Sequence, residues 1–188
     1  MKLNISNWIE FDINKKDIRT AEALAKKRRD TCRRLGLKVI FQSNELENEL
    51  IGLLGEDIFE SHLKSLGIHY ERGRSLEGPD KFDFMISDKI YSIKTNNSKI
   101  HPSRSSDRYK FFINKLQYDK YTNPAYYVSM MIYNLEKAWI CGLISRAEVP
   151  KYPLTDPSHA SCYNIPFSAL HIPHDLSPLL SYRQTRLC

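Results

Sequence analysis

Apolar residues recur along this chain with two periods, and the switch between them divides it into elements. From Ser43 onward, Leu46, Leu50, Leu53, Leu54, Ile58 and Leu63 follow at helical spacing, and Gly67 closes the run after Leu66. Ser43 stands where an N-cap belongs. Upstream, Lys16 to Leu37 holds Ala, Leu, Lys and Arg without a proline, and Gly36 is placed as a C-cap, so a helix is expected there as well. Its apolar stripe (Ile18, Ala21, Leu24, Ala25, Cys32) is thin, which predicts light packing on the body. A short strand-like KVIF covers 38–41.

Beyond Gly67 the period drops to two. Ile68 to Gly73 reads as a short strand and 74–79 as loop. KFDFMI and KIYSIKT then alternate around a Ser87-Asp88 turn, the pattern of a hairpin. A polar loop, NNSKIHPSRSSD, leads to a helix expected from about Ser106 to Tyr121, carrying Tyr109, Phe112, Ile113 and Leu116. The stretches 125–134 and 137–145 read as strands joined by a tight turn at Leu135-Glu136. The proline-rich remainder predicts short strand or loop pieces and an apolar DLSPLL near the end. Helix, strand hairpin, helix and two strands, in that order, predict one α/β domain.

Composition adds exclusions. With 188 residues, 41% hydrophobic and 27% charged, the chain suits one well-buried domain. No apolar run approaches the roughly 20 residues of a membrane span. The N-terminus lacks the basic-then-apolar order of a signal peptide, so a cytoplasmic protein that makes no use of the membrane is expected. Cys32, Cys141, Cys162 and Cys188 stand singly, and His159, His171 and His174 have no matching Cys or HExxH partner. Neither a disulfide framework nor a zinc site is predicted.

Charge is concentrated rather than spread. Lys15 to Lys38 contains ten Lys/Arg against three Asp/Glu, while the residues after Lys38 carry 17 of each sign. The net charge of +6 thus originates in one N-terminal segment. Lys26, Lys27, Arg28, Arg29, Arg33 and Arg34 form two dense blocks, the footprint of contact with a phosphate backbone. The loop after the hairpin, with Arg104 and Arg108, is a second such candidate.

Candidate chemistry lies between the first core helix and the hairpin. Glu56 falls on the apolar side of its helix, between Leu53 and Phe59, where a carboxylate is costly without a partner or cation. In the hairpin, Asp83 and Met85 share one face, as do Ser92 and Lys94 on the next strand. A two-residue turn at Ser87-Asp88 sets Asp83 across from Ser92 and diagonal to Lys94, roughly within 10 Å. A four-residue turn sets Asp83 opposite Lys94 itself.

These residues resemble the PD-(D/E)xK nuclease superfamily, which includes restriction enzymes, Holliday junction resolvases and homing endonucleases. The resemblance runs from about Gly55 through Ser129 and rests on Gly55-Glu56, on Gly78-Pro79-Asp80-Lys81-Phe82-Asp83-Phe84 and on Tyr91-Ser92-Ile93-Lys94-Thr95. It implies a restriction-endonuclease-like core, a mixed central sheet flanked by helices, over 43–188, with 1–42 as a basic N-terminal helical extension. It implies that Glu56 and Asp83 bind Mg²⁺ or Mn²⁺, with the Ile93 carbonyl as a further ligand, and that Lys94 orients or deprotonates the attacking water. Asp80, also after a proline, competes with Asp83 for its role. Gln117 resembles a polar residue that several branches bring near the metal. The chain departs from the motif at Ser92, where the family has an acid two residues before the lysine. Hydrolysis of DNA phosphodiesters is the implied activity, with a homodimer expected for cutting two strands. A catalytically silent DNA-binding subunit with this fold, or an α/β domain binding RNA or a ribonucleoprotein, are the other functions these features allow.

Overall fold

The central strand at 124–133 is buried without a break from Tyr127 to Ile132, so the sheet it belongs to is covered on both faces. The computed structural model describes residues 5–34, 45–74, 80, 82–104, 110–156 and 161–171. The strand expected at 38–41, the Ser43 cap, the Gly78-Pro79 turn, Arg108, His159, His174, Cys188 and the apolar DLSPLL lie outside them, as does the side chain of Cys32. In chain order the elements are β1 (Ile9–Asp12), α1 (Lys15–Arg34), α2 (Glu45–Ser65), β2 (Glu71–Arg72), β3 (Phe84–Ile86), β4 (Lys89–Ser98), β5 (Lys110–Asn114), α3 (Lys115–Lys120), β6 (Pro124–Tyr133), β7 (Lys137–Ser145), β8 (Leu154–Thr155) and β9 (Cys162–Pro166). Short 3₁₀ turns lie at Pro102–Arg104, Arg146–Lys151 and Phe167–Ala169.

The protein is a mixed α/β fold. Six strands form the main sheet in the order β1-β7-β6-β4-β3-β2, and β5-β9-β8 form a second, smaller sheet. Within the main sheet only β4 and β6 run parallel; the other neighbours are antiparallel. A parallel pair needs a crossover, and here β5 and α3 lie within it. On one face Phe84, Ile86, Tyr91, Ile93, Val128, Met130, Ile132, Ala138 and Ile140 pack against α1 and α2. On the other, Tyr127, Met131, Trp139 and Cys141 pack against Phe111, Ile113, Tyr163 and Ile165 of the second sheet. The switch of side along β7 is made at a bulge beside Gly142, whose φ of 149° suits only glycine and whose missing Cβ leaves room for the His171 carbonyl.

Three elements differ from the expectation. The helix expected from about Ser106 is, over its described part, β5 followed by the six-residue α3. Phe111 and Ile113 are fully buried while Phe112 is partly exposed, an alternation only a strand supplies. Asn114 then starts α3, its side chain accepting the Gln117 N–H. Phe112, Ile113 and Leu116 mimic helical spacing across this boundary, yet Leu116 is 75% exposed. The N-terminal IEFD is a strand, paired with β7 from Ile9↔Ile140 to Asp12↔Lys137. Finally, α1 does not pack lightly: Ala21 and Ala25 are fully buried in the same apolar cluster as α2, because small side chains allow close helix approach. The turn between β6 and β7 is centred on Asn134 and Leu135, one residue earlier than expected, both with positive φ. Among the described residues no helix is long and apolar enough to cross a membrane.

Candidate functional site

The hairpin forms with the two-residue turn. Ser87 (φ 49°) and Asp88 (φ 62°) adopt left-handed conformations, and the register runs Phe84↔Tyr91, Met85↔Ile90, Ile86↔Lys89. Extended by one step it sets Asp83 opposite Ser92, and the side chains meet: Ser92 Oγ donates to Asp83 Oδ2 at 3.1 Å. The same oxygen accepts the Ile93 N–H at 2.7 Å. β3 begins only at Phe84, so Ile93 has no ladder partner on that side, and the Asp83 carboxylate takes the place of one. The Ile93 carbonyl lies on the same unpaired edge, since N–H and C=O of one residue point the same way in an antiparallel ladder.

Glu56 reaches this region from α2. The helix lies close to β4 because Gly55 has no side chain; a Cβ there would sit 2.0 Å from Thr95 Oγ1. Glu56 is 14% exposed, and Arg72 Nη2 and Arg74 Nη2 donate to its Oε2 at 3.0 and 3.1 Å. Burial pushes its carboxyl above the ordinary range, the nearby charge of Asp83 pushes the same way, and the two guanidiniums only partly offset them.

Asp57 and Glu60, on the same helix, belong to the same network. Asp57 Oδ1 accepts from Arg72 Nη2 at 2.8 Å and from Arg74 Nη2 at 2.9 Å. Glu60 is bound by Arg72 Nη1, by Tyr70 OH at 2.5 Å and by Lys64 Nζ at 3.1 Å. Burial works against the ionised form of Glu60, but these donors win and hold its carboxyl below the ordinary range. Arg72 also lies over the Phe84 ring, 5.2 Å from its centroid. Sequence inspection missed Arg72 and Arg74. The available signal was their spacing of two in a strand-like segment, which puts both on one face beside a helix carrying Glu56, Asp57 and Glu60.

Lys94 lies two residues beyond Ser92, partly buried and opposite Ser129 of β6. The expected meeting with Asp83 does not take the form of an ion pair: among the described residues Lys94 makes no hydrogen bond or salt bridge. Gln117 caps and continues α3 through its backbone, and no hydrogen bond links it to Asp83, Glu56 or Lys94. Asp80 is taken up by Arg28 of α1, which also pairs with Glu49 at 3.2 Å. Arg28 is therefore turned inward, and Arg29 is partly buried with its Nε enclosed. Lys26, Lys27, Arg33 and Arg34 are exposed, as is Arg104; the 26/33 and 27/34 spacing of seven lines them along one face of α1.

Glu56 and Asp83 each keep one carboxylate oxygen, Oε1 and Oδ1, free of hydrogen bonds to the described residues. This donor chemistry suits a hard divalent cation, which would also relieve the like-charge repulsion. Among the described residues no third His, Cys, Asp or Glu completes a metal-holding group, so the Ile93 carbonyl, water and substrate oxygens would supply the remaining ligands. His171 and Cys162 are engaged elsewhere, His171 with Glu148 at 3.2 Å and Cys162 in the second sheet. Comparison with protein-family models, curated proteins and solved structures finds no match to this chain.

Proposed function

We propose that the protein is a metal-dependent DNA endonuclease with a restriction-endonuclease-like core of the PD-(D/E)xK type. The observation that carries this is the Asp83 carboxylate just before β3, fixed by Ile93 N–H and Ser92 Oγ, with the partly buried Glu56 in its field and, on the adjoining strand, Lys94, which makes no ion pair among the described residues. The order of elements supports it: the acid-bearing helix α2 precedes the hairpin, and β6 runs parallel beside the lysine strand. Asp83 and Glu56 would hold a hard divalent cation, Mg²⁺ or Mn²⁺, which would supply Lewis-acid activation of the scissile phosphate and of a water. Ser92, in place of the usual acid, acts as a positioning residue that fixes the Asp83 rotamer. Lys94, which has no carboxylate partner among the described residues, is available to the attacking water and phosphate oxygens. Lys26, Lys27, Arg33 and Arg34 grip the backbone of duplex DNA, and two copies of the chain cut its two strands.

The test incubates the purified protein with supercoiled plasmid and with branched DNA, in Mg²⁺ or Mn²⁺ against EDTA. Cleavage is expected with either metal, abolished by EDTA and reduced at least about a hundredfold in Asp83→Asn and Lys94→Ala. Cleavage that persists in EDTA, or at an unchanged rate in Lys94→Ala, refutes the assignment. A second reading draws on Ser92 and on the arginines at Glu56: a DNA-binding subunit that keeps the fold without the chemistry. Tight metal-independent binding of duplex without cleavage in either metal would establish it.

A further inference from the structure

We propose that Arg74 is an exchangeable partner: without nucleic acid it neutralises the Glu56–Asp57 pair, and on DNA binding it moves to a backbone phosphate and frees Glu56 for a divalent cation. This rests on the nuclease assignment above and adds to it the device that couples substrate to metal.

The two arginines at Glu56 are not equivalent. Arg72 is fixed in β2, paired with Phe84, spread over three acids and laid against an aromatic ring. Arg74 lies past the end of β2 and spends a single nitrogen, Nη2, on Glu56 and Asp57. Like that of Arg72, its Nε is buried without a hydrogen bond to the described residues, but its Nη1, unlike that of Arg72, makes no bond to them either. A guanidinium presents five N–H donors in a fork that matches phosphate bidentately, and here most of the fork is unspent. Arg74 is therefore the member with least to lose by moving.

A cation entering the site makes the movement necessary. Both guanidiniums stand about 3 Å from Glu56 Oε2, so a divalent ion at that carboxylate meets two positive charges at close range. Expelling Arg74 relieves half of this, but a partly buried guanidinium needs a new anion. A DNA phosphate at the adjacent cleavage site supplies it. Metal and DNA then raise each other's affinity by the same factor, as linkage requires.

The test compares wild type, Arg74→Gln and Arg74→Lys, each checked for folding by thermal melts. Mn²⁺ is titrated without DNA, followed by electron paramagnetic resonance, and a mixed-sequence duplex is bound in EDTA across a salt series. Arg74→Gln is expected to bind Mn²⁺ about tenfold more tightly than wild type, since one repelling charge is gone. It should bind duplex about tenfold more weakly, with a salt slope smaller by about one. Arg74→Lys keeps the charge but not the fork, and should retain the salt slope while binding Mn²⁺ severalfold more tightly. Mn²⁺ affinity within twofold of wild type in both folded variants, or an unchanged salt slope in Arg74→Gln, makes Arg74 a fixed tie and overturns the exchange. If Arg74→Gln fails to fold, an unchanged Mn²⁺ affinity in Arg74→Lys does the same. Those results beside metal-dependent cleavage by wild type sink the exchange alone. Absence of Mn²⁺ binding in every variant, with no cleavage, sinks the nuclease assignment as well.

Discussion

Two glycines on α2 should respond to alanine with opposite signs, and the comparison measures how tightly this helix seats Glu56 beside the sheet. Gly52 has nothing within 4 Å of the position of a Cβ. Gly52→Ala should therefore express only the helix preference for alanine, about 1 kcal/mol of stabilisation. At Gly55 the same preference applies, but the added Cβ falls 2.0 Å from Thr95 Oγ1 and 3.0 Å from both Thr95 Cβ and Cγ2. Rotation of χ1 moves Oγ1 and Cγ2, yet a β-branched residue has few rotamers to offer, and Cβ cannot move without the backbone. The helix must shift away from β4, at an overpacking cost of about 3 kcal/mol, the upper end for an added methyl. The net loss is about 2 kcal/mol, or a Tm lowered by about 4–8 °C for a chain of this size. Gly52→Ala should raise Tm by about 2–4 °C. Thr95→Ala removes two of the three clashing atoms, so the double variant Gly55→Ala/Thr95→Ala should recover most of the loss, with a coupling of about 1–2 kcal/mol. Urea and thermal unfolding of wild type, the three single variants and the double variant supply the numbers. A Tm raised by Gly55→Ala, or strictly additive effects with Thr95→Ala, would show that α2 and β4 are not in contact here, and Glu56 would lose its reason to lie near Asp83.

Other substitutions probe the remaining elements. Ser87-Asp88 adopts the turn that favours Asn-Gly, so Asp88→Gly at this exposed left-handed position should stabilise by about 0.5–1 kcal/mol; a lowered urea midpoint would count against the assigned turn. Hydrogen bonds from Ser145, and then from His171, hold the Glu148 carboxyl below its ordinary range, against a smaller effect of burial. A depressed carboxylate contributes stability that is present above its unfolded pKa and lost as pH falls through the folded one. The stability gap between wild type and Glu148→Gln should thus be full near neutrality and close below the ordinary carboxylate range; a gap independent of pH contradicts the hydrogen bonds of Ser145 and His171 to an ionised Glu148.

Local chemistry was readable where neighbours in sequence are neighbours in space. The Ser87-Asp88 turn and the span of β7 follow from period-two alternation and turn preference, which left two registers for Asp83, opposite Ser92 or opposite Lys94; the fold adopts the first. What escaped is non-local or borderline. β1 is four residues long and earns its place only by pairing with β7, at the other end of the chain. Phe112 to Leu116 straddles a strand and a helix, and its spacing fits a single helix until Asn114 is recognised as a cap. The arginine network escaped for a different reason. Arg72 and Arg74 sit 16 and 18 residues from Glu56, and only the path of β2 beneath α2 makes them its partners. The basic blocks of α1 were read as uniform. Folding splits them, because Arg28 is drawn to Asp80 and Glu49 while Lys26, Lys27, Arg33 and Arg34 stay in solvent.

Asp83 would be needed even in a protein without chemistry, since its Oδ2 closes the ladder where β3 ends. Glu56 has no such excuse. Its carboxyl is buried, pushed upward by burial and by Asp83, and held by arginines that themselves lose hydration. Burial opposes the charge on Arg72, and only Asp57 and Glu56 more than compensate. Buried ion networks of this kind are weak sources of stability, and apolar residues of similar volume often serve a fold as well or better. A helix face that already carries Leu53, Leu54, Ile58, Phe59 and Leu63 had an apolar solution within reach at position 56. Keeping a carboxylate there, in the field of Asp83 and with Lys94 making no ion pair among the described residues, concentrates charge in one region of the sheet. Such concentrations mark functional sites more often than structural ones, because a bound cation and a phosphate are what turn the cost into binding.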